Sequence, residues 1–573
     1  MFIRRAGLLA AILLTASSSA FSADCTMGHY DPNQDGYTSE KIELPLALNW
    51  EFTSLKFDNN PSSPLVVDGV CYFASGSNIY ALDMATGVKK WQYPSDRPLA
   101  GSVKTTPAYY GGNIYFTSVD GNMYCVDAET GVFQWAYQTR GAIRSSPVID
   151  DGVIYFGADD NSIYAVDAET GEAIWSSPFT TRDDFAQSVA VNSGIVVAAC
   201  MDGLLYGINK SSGTCKWIFR LPGAPVRTSP VIANNLVIMA ISNTVYGLPI
   251  RSGQTKWMIT LPSDASASPA AVGQEIYVPC RDKKIYAYTL NGRQPKLKWT
   301  APIDIGASPM SSPIIAKDTL FVTTSKGVVA AYSVEDGTLK WRYIASPSLI
   351  TMPGSNYVDA ASSPTVADQS LIVMTDDGVL HCFSPQASDN ESPTEYKLSP
   401  PNAIAMSGVP PIKMSAIIYD IGSGVDFNSV AMTLDGNAVA YKTDLETSTV
   451  TYITELAEDG KPVTKLPDGI HTIKITAKDY FGNTLNKEWF FFADNTLPAP
   501  KRAVSEQTGK KTKETTKKNQ KTTPNTTNNR RTWGGSNPGG DQNSPPPPPP
   551  MPGVPNTPTD TDTGGGEAPT PDE

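Results

Sequence analysis

The sequence has few histidines, few charged residues and no long apolar segment beyond its N-terminus. Its 573 residues include three histidines, His29, His381 and His471, which lie far apart in segments of different pattern. This distribution argues against a histidine metal site and against a Ser-His-Asp triad. Charged residues make up 18% of the chain, and a net charge of −12 argues against binding to nucleic acid through bulk electrostatics. No later stretch has the length and hydrophobicity of a transmembrane helix.

The seven cysteines form neither a CxxC motif nor an adjacent pair. An exported protein can form disulfides, but an odd number leaves at least one thiol over. Most of these cysteines lie inside apolar strand patterns, so we expect them to be small buried hydrophobic residues. They are Cys25, Cys71, Cys125, Cys200, Cys215, Cys280 and Cys382.

Residues 1–23 have the pattern of a secretory signal peptide. Arg4 and Arg5 precede a short apolar segment at residues 8–14, and small residues follow it. A lipoprotein with a modified Cys25 is the alternative, but the acidic Asp24 precedes that cysteine where lipoprotein signals have a small residue. We therefore expect a secreted protein, periplasmic or extracellular, without a transmembrane anchor.

Tryptophan recurs every 40 to 44 residues across most of the chain. Each interval has a strand opened by a Ser/Thr-Pro step, which the fourth unit replaces by Ser188-Val189, followed by two further short strands and a tryptophan strand. Four short consecutive strands with this period are typical of one blade of a β-propeller. The tryptophans, which we interpret as structural docking residues, are Trp50, Trp91, Trp135, Trp175, Trp217, Trp257, Trp299 and Trp341.

The turn before each tryptophan carries a second signal. Residues 81–91 and 165–175 fit the pattern A-x-D-x-x-T-G-x-x-x-W, and residues 125–135 fit it with Cys125 in place of the alanine. The Asp can accept hydrogen bonds from the backbone of its own turn, and the Gly allows a positive φ. The tryptophan offers a flat surface to the neighbouring unit, while its N–H needs an acceptor.

This pattern resembles the tryptophan-docking motif of the pyrroloquinoline quinone (PQQ) repeat family over residues 26–386. The motif weakens along the chain, because later units carry Asn209, Pro249 and Ser333 at the Asp position. The unit that ends at Trp299 also has a longer turn. The resemblance implies a propeller that is closer to the non-catalytic, outer-membrane assembly lipoprotein-like members than to the PQQ dehydrogenases.

The repeat count predicts how the propeller closes. The unit at residues 362–384 has no tryptophan strand of its own, and the strand around Trp50 has no unit before it. We expect the Trp50 strand to complete the last unit, so that the two ends of the ring share one sheet. The predicted fold is all-β, with an eight-bladed β-propeller over residues 24–386.

The chain after residue 386 divides into three segments by composition. Residues 387–412 are rich in Ser, Pro and Asn and predict a linker, and residues 413–495 resemble a bacterial immunoglobulin-like β-sandwich. Residues 496–573 predict a disordered tail, first basic and then proline-rich. The basic part is interpreted either as a solvated linker or as a segment that binds an anionic cell-wall polymer or membrane surface.

Residues 31–36 begin like a calcium-binding loop. An EF-hand needs a glutamate at loop position 12, where this chain has Ile42. We therefore interpret the segment as a turn ahead of the first strand and assign no metal ligand to it.

Three cations occupy equivalent positions in the repeat. Lys104, Arg144 and Arg227 each stand directly before a Ser/Thr-Ser/Thr-Pro step. Equivalent residues of a propeller lie at one height around the axis, so we expect these three near one mouth of the channel. They predict a site for an anion such as a quinone cofactor; the alternative is structural pairing with acidic neighbours such as Asp183 and Asp184.

The resemblance implies either a PQQ-dependent dehydrogenase, with a quinone and Ca²⁺ on the axis, or a non-catalytic scaffold. The chain lacks the adjacent cysteines of many such dehydrogenases, and no catalytic residue can be assigned. We therefore favour an exported, non-enzymatic binding or scaffold protein without a cofactor, whose partner is an envelope or extracellular protein. A PQQ-binding oxidoreductase or quinone-binding sensor that uses PQQ with calcium is the alternative, and a cell-surface polymer-binding adhesin is the second alternative.

Overall fold

The computed structural model describes residues 24–54, 61–222, 226–309, 311–325, 327–345, 362–454 and 464–498. These residues form strands and turns, without a helix. Accordingly, nothing in the described part has the form of an apolar membrane-crossing helix. Of two compact units in the chain, the first contains all of these residues. The second unit, residues 502–573, lies outside the described residues, as do the predicted signal peptide and most of the predicted tail.

Residues 65–220 form four sheets, each an antiparallel meander of four strands. Neighbouring strands in each sheet follow one another in sequence, as the repeat pattern predicts. The strands are β3 (Leu65–Val67), β4 (Val70–Ser75), β5 (Asn78–Asp83), β6 (Lys89–Tyr93), β7 (Ala108–Tyr110), β8 (Asn113–Thr117), β9 (Asn122–Asp127), β10 (Phe133–Gln138), β11 (Val148–Asp150), β12 (Val153–Ala158), β13 (Ser162–Asp167), β14 (Phe179–Thr180), β15 (Ala190–Asn192), β16 (Ile195–Ala199), β17 (Leu204–Asn209) and β18 (Cys215–Arg220).

Four further sheets complete this part, and two of them include strands from the N-terminal segment. β1 (Tyr37–Thr38) pairs in parallel with β28, and β2 (Ala47–Thr53) pairs with β34. The strands of these sheets are β19 (Val231–Ala233), β20 (Leu236–Ile241), β21 (Thr244–Pro249), β22 (Trp257–Thr260), β23 (Ala270–Val272), β24 (Glu275–Cys280), β25 (Lys284–Thr289), β26 (Lys296–Leu297), β27 (Ile303–Asp304), β28 (Ile314–Ala316), β29 (Thr319–Thr323), β30 (Val328–Ser333), β31 (Leu339–Ile344), β32 (Thr365–Ala367), β33 (Ser370–Met374) and β34 (Val379–Ser384).

The pairing of β2 with β34 joins the two ends of this β-propeller. The strands are antiparallel, and Trp50 lies opposite Cys382. The predicted pairing of the Trp50 strand with the unit at residues 362–384 is therefore confirmed. Closure of this kind satisfies two strand edges that would otherwise expose unpaired backbone groups.

The tryptophans pack between sheets in the way that the motif predicts. Trp50 donates its indole N–H to the Met84 carbonyl at 2.9 Å, in the turn of the next unit. Gly87 of that turn has a φ of +69°, and a Cβ there would lie 2.6 Å from the Trp50 ring. Glycine is therefore required both for its backbone conformation and for the close approach of the indole. The same arrangement recurs with Trp91 over Gly131.

The N-terminal segment runs across the inner strands of the propeller and hydrogen-bonds to them. Its backbone or side chains hydrogen-bond to the inner strand of seven of the described sheets, including those of Val66, Val191 and Ile232. The sequence predicts this segment only as a turn, because it carries no repeat pattern. Its backbone groups are satisfied by strands from distant parts of the chain, which sequence periodicity cannot indicate.

The cysteines behave largely as the sequence predicts. No disulfide forms among the seven, and six of them are buried. Cys215 is the exception, because it lies at the exposed start of the outer strand β18, beside a β-bulge. Cys25 is 3% exposed and packs against the first unit, so burial leaves little room for a lipid on its thiol.

Two further sheets form the C-terminal module. One has the order β35-β37-β41-β40 and the other β36-β43-β42-β38-β39, and they share a core around Met414, Ile475 and Trp489. Two strands lie within residues 387–412, which the sequence predicts as a linker; both are edge strands of their sheets, and the prolines of the segment lie between the strands. The strands are β35 (Thr394–Ser399), β36 (Ile404–Met406), β37 (Lys413–Tyr419), β38 (Val425–Leu434), β39 (Asn437–Ala438), β40 (Lys442–Asp444), β41 (Thr449–Ile453), β42 (Gly469–Asp479) and β43 (Thr484–Ala493).

Candidate anion site in the central cavity

A central cavity of about 300 Å³ is lined by residues that directly precede the inner strands of all eight sheets of the propeller part. Gly28, His29 and Gln34 of the N-terminal segment contribute to its lining. The remaining lining is dominated by the Ser/Thr steps that open the inner strands. The cavity is therefore small and polar, within the lower range of ligand-binding pockets.

Where a step has two hydroxyls, the two have different structural roles. The first bonds within its own unit: Ser145 donates to the Gly157 carbonyl at 2.9 Å and accepts from the Gly157 N–H at 2.7 Å. The second accepts a backbone N–H from the preceding unit, as Ser146 does from Thr106 at 3.0 Å. The repeated step thus ties neighbouring inner strands together around the axis, a role that a sequence motif alone does not reveal.

All three predicted cations line this one cavity. Lys104, Arg144 and Arg227 come from the second, third and fifth units in chain order. Each precedes a step whose hydroxyls are held by neighbouring strands, and this fixes the backbone from which the cation projects. Their role as an anion site remains a prediction, but the topology brings them to the same polar space.

The partners of the cations differ from residue to residue. Arg144 pairs with Asp159, with Nε 2.7 Å from Oδ2, rather than with Asp183 or Asp184. The Arg144 side chain is 51% exposed, so this ion pair is screened by solvent and leaves the guanidinium accessible. Within the described residues, Arg227 has neither a hydrogen bond nor an ion pair and also lines an adjoining pocket with Arg281.

His29 is a lining residue that the sequence does not single out as a site residue. Its Nδ1 is buried and has no hydrogen-bond partner among the described residues. Burial lowers the pKa of His29 to about 4, so the imidazole is neutral at pH 7 and adds no charge to the three cations. No spacing signal could have identified it, because the N-terminal segment has no equivalent elsewhere in the repeat.

The cavity meets one requirement of a PQQ site and fails another. Three cations suit the carboxylates of an anionic quinone, because charge-assisted hydrogen bonds are the strong ones. Among the described lining residues, however, there is no Asp or Glu to bind Ca²⁺, and His29 supplies the sole aromatic ring. The described lining therefore fits an anion and does not fit a quinone held together with calcium.

Comparisons with known proteins agree with this architecture. A family model described as "Outer membrane protein assembly factor BamB" matches residues 48–177, 75–230, 159–303 and 230–409, more than half of the chain. The dehydrogenase subunit of a quinone-type alcohol dehydrogenase from Gluconobacter oxydans is 31% identical over 100 residues. That match covers 16% of this chain and 13% of the length of the subunit.

Solved structures with a similar fold include two dehydrogenases. A europium-containing methanol dehydrogenase aligns with a TM-score of 0.51 at 13% identity, over 63% of this chain and 98% of its own. A quinohemoprotein alcohol dehydrogenase from Pseudomonas putida HK5 aligns with a TM-score of 0.50 at 14% identity, over 66% and 84%. At these identities the likeness concerns the fold alone.

Proposed function

Because the chain belongs to the family of the outer membrane protein assembly factor BamB, we propose that it is an exported, non-enzymatic binding or scaffold protein of the cell envelope. In this proposal the propeller is a rigid platform for a protein partner. Residues 1–23 direct export to the periplasm or the extracellular space, and the chain acts there without a resident cofactor.

The proposal includes a finer description of the fold. The eight sheets between residues 37 and 384 are taken as eight blades of one ring, closed by the pairing of β2 with β34. The two sheets that follow are taken as an immunoglobulin-like β-sandwich, and the tail as a disordered extension. A closed ring supports a scaffold role because it holds loops from different units at constant distances.

One observation carries the proposal: three cations share a polar cavity whose described lining contains no carboxylate. Such a cavity attracts an anionic group, and its described lining holds no carboxylate that could act as an acid or a base beside that group. We propose that an acidic segment of a partner protein inserts its carboxylates at Lys104, Arg144 and Arg227. Carboxylates of the partner give specificity there, because charge-assisted hydrogen bonds to ammonium and guanidinium groups are stronger than those of a neutral segment.

Co-purification from the native envelope tests this proposal. The full chain is compared with a variant that combines Lys104→Gln, Arg144→Gln and Arg227→Gln. The control combines Lys89→Gln, Lys216→Gln and Lys256→Gln, which removes the same charge from exposed outer positions. We expect the partner to be lost from the cavity variant and kept by the control. Identical partners for all three proteins would contradict the proposal.

A PQQ-binding oxidoreductase or quinone-binding sensor is the second candidate, and the same three cations favour it. Titration of the full chain with PQQ, with and without Ca²⁺, measures binding by absorbance. Dye-linked oxidation of alcohols or sugars then measures turnover. Tight quinone binding with turnover would replace the scaffold proposal, whereas the absence of binding would remove the second candidate.

A further inference from the structure

Three buried carboxylates from separate loops meet where the C-terminal module touches the propeller. Asp389 precedes β35, Asp420 follows β37 and Asp479 ends β42. Their exposures are 8%, 6% and 3%, and one carboxylate oxygen from each lies within 4.8 Å of the others. Burial of three acidic groups at this distance is unfavourable unless another charge compensates them.

Backbone and side-chain donors hold the three carboxylates in place. Oδ1 of Asp420 accepts backbone N–H groups from Gly422, Ser423 and Gly424 at 3.0, 2.8 and 2.8 Å. Oδ2 of Asp389 accepts the hydroxyl of Ser423 at 2.7 Å. The loop 420–424 is therefore folded around one oxygen of Asp420, and its second oxygen is directed elsewhere.

Both carboxylate oxygens of Asp479 accept hydrogen bonds from the loop that follows β42. Oδ2 of Asp479 accepts the side-chain amide of Asn483 at 2.7 Å, while Oδ1 accepts the backbone N–H groups of Phe481 and Asn483, both at 2.9 Å. Asn483 also donates to the Asp389 carbonyl at 3.0 Å. These contacts bring the loop after β42 against the loop before β35.

Oδ2 of Asp420 is different, because it is buried and has no hydrogen-bond partner among the described residues. Within the described residues, none of the three carboxylates forms a salt bridge with a cationic side chain. The nearby Arg342 directs its guanidinium to Leu445 and Ser448 instead. A buried carboxylate oxygen without a donor, beside two further carboxylates, is the arrangement that a bound cation compensates.

We propose that Asp389, Asp420 and Asp479 bind a Ca²⁺ ion, with Oδ2 of Asp420 as one ligand. The three candidate ligands are carboxylate oxygens, which suit a hard cation. Zinc and copper prefer nitrogen and sulfur ligands. Ca²⁺ accepts several carboxylates and backbone carbonyls in flexible geometry, whereas Mg²⁺ demands a near-ideal octahedron. Ligands held by three separate segments of the chain are therefore easier to arrange around Ca²⁺ than in the octahedron that Mg²⁺ needs.

The ion has a structural consequence at the closure of the ring. The Gly422 carbonyl accepts the backbone N–H of Leu48 at 2.8 Å, and the Ser423 carbonyl accepts the indole N–H of Trp341 at 2.9 Å. Calcium would fix the loop that makes both bonds. Binding of Ca²⁺ is therefore coupled to the seam between the last units and the N-terminal strand, independently of any ligand in the central cavity.

Calorimetric titration of the EDTA-treated full chain with CaCl₂ tests the proposal, with MgCl₂ as the comparison. We expect one Ca²⁺ per chain, a higher thermal midpoint with Ca²⁺, and weaker binding of Mg²⁺. Asp420→Asn should weaken Ca²⁺ binding by about tenfold or more, since even indirect supports of a metal cost about that much. The matched control is Asp444→Asn, which changes an exposed turn carboxylate of the same module.

Stability without calcium separates a metal ligand from a structural turn residue. Asparagine retains an acceptor for the loop and removes one buried negative charge, so Asp420→Asn should be at least as stable as the original chain in EDTA. With Ca²⁺ the order should reverse. If Asp420→Asn fails to fold, Asp389→Asn serves for the same titration. No Ca²⁺ binding, equal affinity in the variant, or Mg²⁺ binding as tight as Ca²⁺ would overturn the assignment.

Discussion

Trp257 and Trp341 dock differently from the tryptophans that bond to the turn of the next unit. In the common arrangement the indole N–H bonds to a carbonyl in the next turn, as Trp50 does to Met84 and Trp299 does to Val334. Trp257 is packed just as deeply, at 2% exposure, but its Nε1 has no partner among the described residues. The next turn is the longer one, and nothing lies within 4 Å of a Cβ at its Gly292.

Trp341 shows a third arrangement, because no turn follows it in the next unit. In the last sheet β34 is the final propeller strand in sequence, and the outer strand beside it is β2 from the N-terminal segment. The carbonyls of Leu46 and Ser423 each accept the Trp341 indole N–H at 2.9 Å instead. The comparison teaches that the repeat motif makes its main contact between two units. A change in one turn therefore alters the packing and hydrogen bonding of the tryptophan in the unit before it.

The largest expected effect is at the seam. Trp341 is fully buried, so Trp341→Ala should lower the free energy of unfolding by about 3–5 kcal/mol in urea denaturation. Two substitutions to phenylalanine separate the contribution of the Trp341 hydrogen bonds from that of its packing. Trp341→Phe leaves two carbonyls without their donor and should cost about 1–3 kcal/mol beyond its packing loss. Trp257→Phe removes an N–H that has no acceptor among the residues the structure describes, and a similar extra cost there would refute the distinction.

A smaller effect is expected for the glycine under a docked indole. At Gly87 a Cβ would lie 2.6 Å from the Trp50 ring, and at Gly69 it would meet nothing within 4 Å. The two glycines have φ values of +69° and +71°, so an alanine suffers the same backbone strain at either position. Gly87→Ala should therefore exceed Gly69→Ala in destabilisation by about 1–3 kcal/mol, measured by urea unfolding. Equal losses would show that the indole shifts without cost.

The smallest effect concerns the turn carboxylate. Oδ1 of Asp83 accepts the Thr86 hydroxyl and N–H at 2.6 and 3.0 Å, and these bonds lower the pKa of Asp83. A lowered pKa stabilises the fold above the unfolded value and loses that contribution as pH falls through the folded value. Asp83→Ala should cost about 0.5–1.5 kcal/mol at pH 7, with a smaller difference from the original chain below about pH 4.

Asn209 is the matched control for that pH dependence. It occupies the equivalent turn position and accepts the Ser211 and Ser212 N–H groups at 3.0 Å. An amide does not titrate, so Asn209→Ala should cost a similar amount at both pH values. If the two variants respond alike to acid, the Asp83 carboxylate is not the source of the pH effect.

The local features of the repeat could be predicted because they arise from short sequence separations. The turn hydrogen bonds of Asp83 span three residues, and the constant tryptophan spacing gives the order of strands within each sheet. The shared cavity of Lys104, Arg144 and Arg227 followed from their equivalent positions in a periodic fold. Periodicity converts sequence position into spatial position, and no other part of the chain offers that advantage.

Features outside the period could not be predicted. His29 reaches the cavity on a segment without repeats, and Asp159 pairs with Arg144 from a loop that the sequence does not connect with it. The carboxylates of Asp389, Asp420 and Asp479 come from three separate loops of the C-terminal module. Their proximity depends on how two sheets stack, which strand patterns do not encode.

The sequence by itself determined the all-β repeat, the tryptophan positions and the pairing of the chain ends, because each follows from a local pattern repeated at one interval. The tertiary structure alone decided which groups complete the interrupted contacts. Trp341 obtains an acceptor from Ser423, 82 residues away, because the loop that contains Ser423 folds against its buried indole. Hydrogen-bond demand is encoded locally, but the partner that meets it depends on which distant segment folds beside it.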